Sequence, residues 1–187
     1  MLTGRFAPSP SGRMHLGNVF SALLAWLSAR SRGGRMLLRI EDLDPDRCRP
    51  EYAETLKHDL DWLGLDWDAE QTPQSRRTEA YRAEFDKLAA LGLVYPCYCS
   101  RAELHAASAP HTSDGTVVYA GTCRDLTPEQ RAVKTRAPAW RVRVPDERIT
   151  VHDGLQGLWQ ENLARDCGDF IIRRSDGVYA YQLAVVT

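Results

Sequence analysis

The chain has 187 residues, 43% hydrophobic and 26% charged, with a formal net charge of −1. That is the composition of a soluble globular protein of one domain, or one domain with a small insert. No acidic or basic bulk field argues for or against a nucleic-acid partner, and the absence of any run of about eighteen apolar residues excludes a membrane helix.

Met1 to Arg5 leads into Pro8 and Pro10 rather than an apolar run, so no signal peptide is read. The five cysteines are Cys48, Cys97, Cys99, Cys123 and Cys167. An odd count without a signal peptide argues against a disulfide framework and for the reduced cytoplasm.

Arg5-Phe6-Ala7 reads as the end of a strand. Pro8, Ser9, Pro10, Ser11 and Gly12 cannot continue it, because proline lacks the N–H that a ladder needs. His15-Leu16-Gly17-Asn18 then opens a helix over residues 17–31, with Leu16, Val19, Phe20, Leu23 and Leu27 at helical spacing and Gly33-Gly34 beyond its end. A strand, a loop of small residues and a helix start make a phosphate-binding geometry as well as an ordinary βα turn. The loop matches neither the G-x-G-x-x-G nor the P-loop pattern.

Arg35 to Ile40 is a short apolar run and reads as a buried strand. Strand, helix and strand predict a βαβ unit with a parallel pair. Glu41-Asp42-Leu43-Asp44 follows at the carboxyl end of the second strand, where ligands bind in open α/β sheets. Its carboxylates read either as a solvated loop or as a rim for a cation or amine.

Tyr52, Leu56, Leu60 and Leu63 predict a second helix ending at Gly64, and Tyr81, Phe85, Leu88 and Leu91 a third ending at Gly92. Residues 66–78 between them read as a polar connection. Residues 95–165 read as an insertion with its own small β structure, including strands at Trp140–Val144 and Ile149–Val151. Phe170–Ile172 and Val178–Tyr181 read as strands flanking a Ser175-Asp176-Gly177 turn. No helix or cap is legible in the final apolar run.

Cys97-x-Cys99 and Cys123 offer three thiols to a structural zinc, which needs about four ligands. His105, His111 and Tyr119 are candidates for the fourth, with a histidine favoured by ligand chemistry alone. Buried free thiols are the plainer reading of the same residues. Cys48 and Cys167 read as inert thiols, His58 as a surface residue, and His152 has no partner visible in sequence.

Five stretches together resemble the glutamyl-tRNA synthetase family of class I enzymes. They are R-F-A-P-S-P-S-G-R-M-H-L-G-N at 5–18, with H-L-G-N at the family's H-I-G-H position; L-R-I-E-D-L-D at 38–44; C-Y-C at 97–99; Y-A-G-T-C at 119–123; and G-D-F-I-I-R-R-S-D-G-V-Y-A-Y-Q-L-A-V-V at 168–186. The C-x-C with Y-x-x-x-C and the A-Y-Q-L-A-V-V ending resemble the glutamyl-queuosine branch, which lacks an anticodon-binding domain.

The resemblance implies a Rossmann-like α/β nucleotide-binding fold with a parallel sheet, built from 1–94 and 166–187 and interrupted by a zinc-containing β-rich insertion at 95–165. It implies a cytoplasmic monomer that activates glutamate with ATP and Mg2+, then attaches it to the queuosine base of tRNA(Asp). Arg5, Phe6, Ala7, Pro8, Ser9, Glu41 and Tyr181 would hold glutamate. His15, Gly17 and Asn18 would serve ATP and carry the catalysis. Cys97, Cys99, Tyr119 and Cys123 would hold zinc.

The family's K-M-S-K-S motif and a further glutamate-binding arginine are not found among the 187 residues. The expectation is therefore the N-terminal catalytic part of a protein of about 300 residues, inactive or nearly so by itself. Two other functions stay open: part of a synthetase charging tRNA(Glu), and a non-catalytic, zinc-containing tRNA-binding module.

Overall fold

The computed structural model describes residues 1–106 and 118–187. The chain forms two compact units, Met1–Ala80 and Tyr81–Thr187.

The first unit opens with β1 (Thr3–Phe6), α1 (Leu16–Arg30) and β2 (Arg35–Arg39). β1 and β2 pair in parallel, from Thr3 opposite Arg35 to Phe6 opposite Leu38. The expected βαβ unit is present. α2 (Pro50–Trp62) follows, with Pro50 at its first turn, where the missing N–H costs nothing. The connection read as polar contains a third parallel strand, β3 (Ala69–Gln71), giving the sheet order β1-β2-β3, and a 3-10 turn at Gln74–Arg76. Three residues are too short for a period-2 pattern to register.

The core of this unit is Ala22, Leu38, Ile40, Leu56, Leu60 and Leu65, with Phe6, Met14, Trp26, Ala53 and Trp67 packed against it. α1 meets the sheet through small residues. A Cβ on Gly4 of β1 would lie 2.9 Å from Ala29 Cβ and 3.3 Å from the Ala25 carbonyl oxygen. The large residues that give α1 its helical spacing do not face this core; Leu16, Phe20, Leu23 and Leu27 are exposed. At its far end Arg30 pairs with Asp66 and Asp68, each at 2.9 Å, and Asp68 also accepts the Met36 N–H at 2.6 Å.

The second unit takes in most of α3 (Thr78–Ala90), then β4 (Val94–Cys97), α4 (Arg101–Ala106), α5 (Pro128–Ala132), β5 (Ala139–Val142), β6 (Arg148–Asp153), β7 (Gly157–Asn162), α6 (Leu163–Asp166), β8 (Ile171–Arg173) and α7 (Tyr181–Ala184). β4, β5 and β8 form an antiparallel sheet in that order, and β6 and β7 a separate hairpin. Asp169 ties its loops together. Its carboxylate accepts Tyr95 Oη–H at 2.6 Å and the Val144 N–H at 2.8 Å.

The last strand expected at Val178–Tyr181 is not one. Tyr179 makes a single antiparallel bridge to Arg173, and Tyr181 begins α7. Leu183 and Ala184 are buried from this short helix, whose apolar run is too brief for a 3.6-residue period to show. Among the described residues, no helix is long and apolar enough to cross a membrane.

Candidate functional site

The loop after β1 is fixed by its own carbonyls. Pro8 O accepts the Glu41 N–H at 2.9 Å, and Pro10 O accepts the Arg49 N–H at 3.3 Å. Both prolines are buried, while Ser9 between them is exposed. The ends of β1 and β2 are thus joined at the carboxyl edge of the parallel sheet. Ala7 is half-buried beside this junction. Phe6 turns to the core, and Arg5 carries an exposed side chain at the end of β1.

His15 is the N-cap of α1. The Gly17 N–H donates to His15 Nδ1 at 3.1 Å, and the His15 N–H donates to Asn18 Oδ1 at 3.2 Å. An accepting Nδ1 places the ring proton on Nε2, at the far edge of the ring. A Cβ on Gly17 would lie 2.9 Å from His15 Cε1, so glycine here leaves room for the histidine ring. The first turn holds no acidic residue, so no carboxylate of its own offsets the positive end of the helix dipole.

Glu41 is buried, and its Oε1 accepts from Arg39 Nη2 at 2.8 Å. The two side chains are 1% and 4% exposed. The other carboxylates of this loop have local partners. Asp42 accepts the N–H and hydroxyl of Ser75 at 2.9 and 2.7 Å, and Asp44 accepts the Asp46 N–H at 3.2 Å. Only Glu41 of the three is set into the sheet edge. Arg39 as its partner is not legible in residue types, because an arginine within a short apolar run carries no mark of being buried.

In the second unit Cys97, Cys99 and Cys123 bring their sulfurs within 4.8 Å of one another. The Cys99 and Cys123 sulfurs are 3.6 Å apart, and Tyr119 Oη is 3.5 Å from Cys97 Sγ. A tetrahedral zinc with sulfur ligands at about 2.3 Å and an oxygen at about 2.0 Å has edges of about 3.8 Å between sulfurs and about 3.5 Å between sulfur and oxygen. The Cys99–Cys123 and Cys97–Tyr119 spacings match two edges of that donor set. Tyr119 Oη also accepts the Cys123 N–H at 2.8 Å, which holds the oxygen against the cluster. His111 lies outside the described residues, as does the side chain of His105.

Tyr119 is held by a parallel bridge to Gly168. At Gly168, with φ +68°, a Cβ would sit 2.6 Å from the Tyr119 carbonyl oxygen, so only glycine admits this approach. Arg141, read from the sequence as part of a strand, is buried with its guanidinium carbon 3.7 Å from the centre of the Tyr119 ring. Burial pushes the Cys97 thiol up, but hydrogen bonds from Tyr119 and Arg141 outweigh it, and its pKa falls below the usual thiol value. Cys99 is pushed up to about 12 by burial and by its contact with Cys123. Cys48 and Cys167 stand outside the cluster, both raised chiefly by burial. Tyr181 is 59% exposed at the start of α7.

Comparison with known proteins gives these features a family. Residues 1–187 match the family model for tRNA synthetases class I (E and Q), catalytic domain. A glutamyl-Q tRNA(Asp) synthetase of Nitratidesulfovibrio vulgaris is 53% identical over 200 aligned residues, covering 100% of this chain and 61% of that protein. The protein of the same name from Thiobacillus denitrificans is 50% identical, covering 98% of this chain and 59% of that protein. The chain therefore spans about 60% of the length of these relatives. Among solved structures, a glutamate tRNA ligase from Elizabethkingia meningosepticum in complex with its amino acid is 28% identical, with a TM-score of 0.78, and covers 99% of this chain and 41% of that one. The glutamate-tRNA synthetase of Elizabethkingia anophelis is similar at the same identity, with a TM-score of 0.81 and the same coverage. The match over every residue, on a parallel βαβ sheet with a capped helix start at its carboxyl edge, makes this chain a member of the class I tRNA synthetase (E and Q) catalytic-domain family.

Proposed function

We propose that this chain is the part of a cytoplasmic, monomeric enzyme that activates glutamate with ATP and Mg2+ and passes the glutamyl group to the queuosine base of tRNA(Asp). The observation that carries the reading is the His15–Gly17–Asn18 cap, an anion-ready helix start tied through Pro8 and Glu41 to a buried carboxylate. Relatives named for the glutamyl-Q reaction, at 50% identity or more, supply the choice of substrate, against 28% for the glutamate ligases.

In the first step the glutamate α-carboxylate attacks the α-phosphorus of ATP, forming glutamyl-adenylate and releasing pyrophosphate. His15 donates from Nε2 to a phosphate oxygen as charge builds there. Gly17 keeps that ring in place, and Asn18 holds the first turn closed. Arg5 offers a planar fork to a substrate carboxylate. Ala7, Pro8 and Ser9 shape the pocket wall, with the Ser9 hydroxyl as a hydrogen-bond partner, and Phe6 backs that wall from the core side. Glu41 takes the substrate ammonium, and Tyr181 helps hold the glutamate. Magnesium, when bound with ATP, neutralises phosphate charge. In the second step a hydroxyl of the queuosine cyclopentene ring attacks the adenylate carbonyl and AMP leaves. No covalent enzyme intermediate is needed; positioning and charge stabilisation do the work.

Cys97, Cys99, Tyr119 and Cys123 would hold a structural zinc in the 95–165 insertion, with 1–94 and 166–187 as the catalytic part. The metal would fix a stretch with few core residues of its own.

The test uses the full-length protein. Glutamate-dependent pyrophosphate exchange, followed by transfer of labelled glutamate to tRNA(Asp) only when it carries queuosine, is the expected result. Charging of tRNA(Glu) instead would move the protein to the tRNA(Glu)-specific reading. Retained tRNA binding without any exchange would make it a binding module.

A further inference from the structure

Arg141 is a buried cation whose counter-charge is not a carboxylate. It lies in β5 and is 6% exposed. Its Nη1 donates to the Asp169 carbonyl oxygen, while the Asp169 carboxylate already serves Tyr95, the Val144 N–H and Arg124. Among the described residues no carboxylate forms an ion pair with Arg141, and its buried Nε has no hydrogen-bond partner. A charge taken out of water without a partner is strongly destabilising, so buried charges are paired or stand at metal sites.

The sheet register shows what Arg141 faces instead. It stands opposite Tyr95 of β4, and Cys97 stands opposite Ala139, two residues before it. Side chains two apart share a face, so Arg141 and Cys97 lie on the same side of the sheet. The guanidinium hydrogen-bonds the Cys97 thiol and lies over the Tyr119 ring, 3.7 Å from its centre. Arg141 therefore touches two of the four groups at the cysteine cluster, one at its sulfur and one at its ring face.

The cluster and the arginine each lack what the other has. With neutral thiols and a neutral phenol, Arg141 has no counter-charge. A zinc held by three thiolates and a phenolate has the opposite excess, because its donors carry more negative charge than the ion carries positive, and Cys97, Tyr119 and Cys123 are buried. We propose that Arg141 is the positioning residue of this metal site: its guanidinium supplies the positive charge that offsets the anionic donor set, and its flat face holds Tyr119 in place as the fourth ligand. This rests on the zinc reading of Cys97, Cys99, Tyr119 and Cys123. Zinc sites are ordinarily built from cysteine, histidine and carboxylates, so a tyrosine ligand needs holding. Arg141 grips its ring and the Cys123 N–H grips its oxygen. Arginine suits the task better than lysine, because a planar group can stack on a ring while its N–H groups reach past it.

The experiment measures zinc affinity of the full-length protein by competition with a chromophoric chelator, together with Tm in the metal-free and zinc-loaded states. Arg141→Met should lower the affinity by about 10- to 100-fold. Its zinc-loaded Tm should fall much more than its metal-free Tm, because the charge it removes has no carboxylate partner in the metal-free chain. An equal fall in both would make Arg141 a residue of the fold alone and overturn the proposal, as would wild-type affinity. Arg141→Lys keeps the charge and should hold zinc more tightly than Arg141→Met; an equal loss in the two overturns the charge role. Arg141→Gln repeats the neutral case where Arg141→Met does not fold, with the same loss expected and wild-type affinity again overturning the proposal. A wild-type protein that binds no zinc removes the zinc reading and this inference together, whereas unaltered affinity in the Arg141 variants removes this inference alone.

Discussion

Gly17 carries no side chain because His15 occupies the space: a Cβ there would stand 2.9 Å from the His15 ring. The same ring accepts the Gly17 N–H, so the two residues form one device that aims Nε2 outward. Gly17→Ala should push the imidazole off its cap and mimic His15→Ala. Both variants of the full-length enzyme should lower kcat for pyrophosphate exchange by about 10²-fold, with the KM for glutamate little changed. Wild-type exchange by Gly17→Ala would show that the capped orientation of His15 is not used.

The sulfur and oxygen spacings around Cys97, Cys99, Tyr119 and Cys123 predict one zinc per chain by elemental analysis of the purified protein. Cys99→Ser or Cys123→Ser should abolish the metal and lower Tm, and a chelator should reproduce the loss. Cys167→Ser should do neither, since Cys167 stands apart from the cluster. Tyr119→Phe should weaken zinc retention without unfolding the chain, because the ring still lies under Arg141. Retained metal in Tyr119→Phe would shift the fourth ligand to another residue.

The parts of the fold read most directly from sequence were those with long periods or strong punctuation. The βαβ unit, α2, α3 and their glycine ends are where spacing placed them. β3, with three residues, and α7, with four, are too short to carry a period. Spacing also cannot say which face of a helix meets the sheet. The leucines of α1 gave the helix, whereas the face that meets the sheet is one of alanines, close-packed because Gly4 admits them. At the site, residue type singled out the thiols and the carboxylates at 41–44, while the roles expected of His15 and Glu41 came from the family resemblance. Of the buried arginines beside them, Arg141 was hidden because its partner Tyr119 is brought to it by tertiary packing, and Arg39 because its burial beside Glu41, two residues on, leaves no mark in residue type.

Asp68 gives a pH signature to the first unit. Its carboxylate accepts the Met36 N–H and pairs with Arg30, and these contacts hold its pKa below the ordinary 3.8. A carboxyl depressed on folding adds stability above its unfolded pKa and loses it as pH falls through the folded value. Asp68→Asn should therefore lower Tm at pH 7, and the gap from wild type should close as pH falls below 3.8. A gap that stays constant across that range would mean that the amide loses shape or packing rather than charge.

Arg39 and Glu41 are a buried ion pair, 2.8 Å apart and almost wholly out of solvent. Removing one partner of such a pair leaves an uncompensated charge and costs about 3–5 kcal/mol, whereas replacing both with apolar groups of similar size is often close to neutral. Arg39→Met should accordingly destabilise the protein strongly in denaturant titrations, and Arg39→Met with Glu41→Met should recover much of the loss. The double variant, though folded, should bind ATP and fail to bind glutamate, because the carboxylate proposed to meet the substrate ammonium is gone. Glutamate binding retained by that variant would make Glu41 a residue of the fold alone and move amine recognition elsewhere in the pocket.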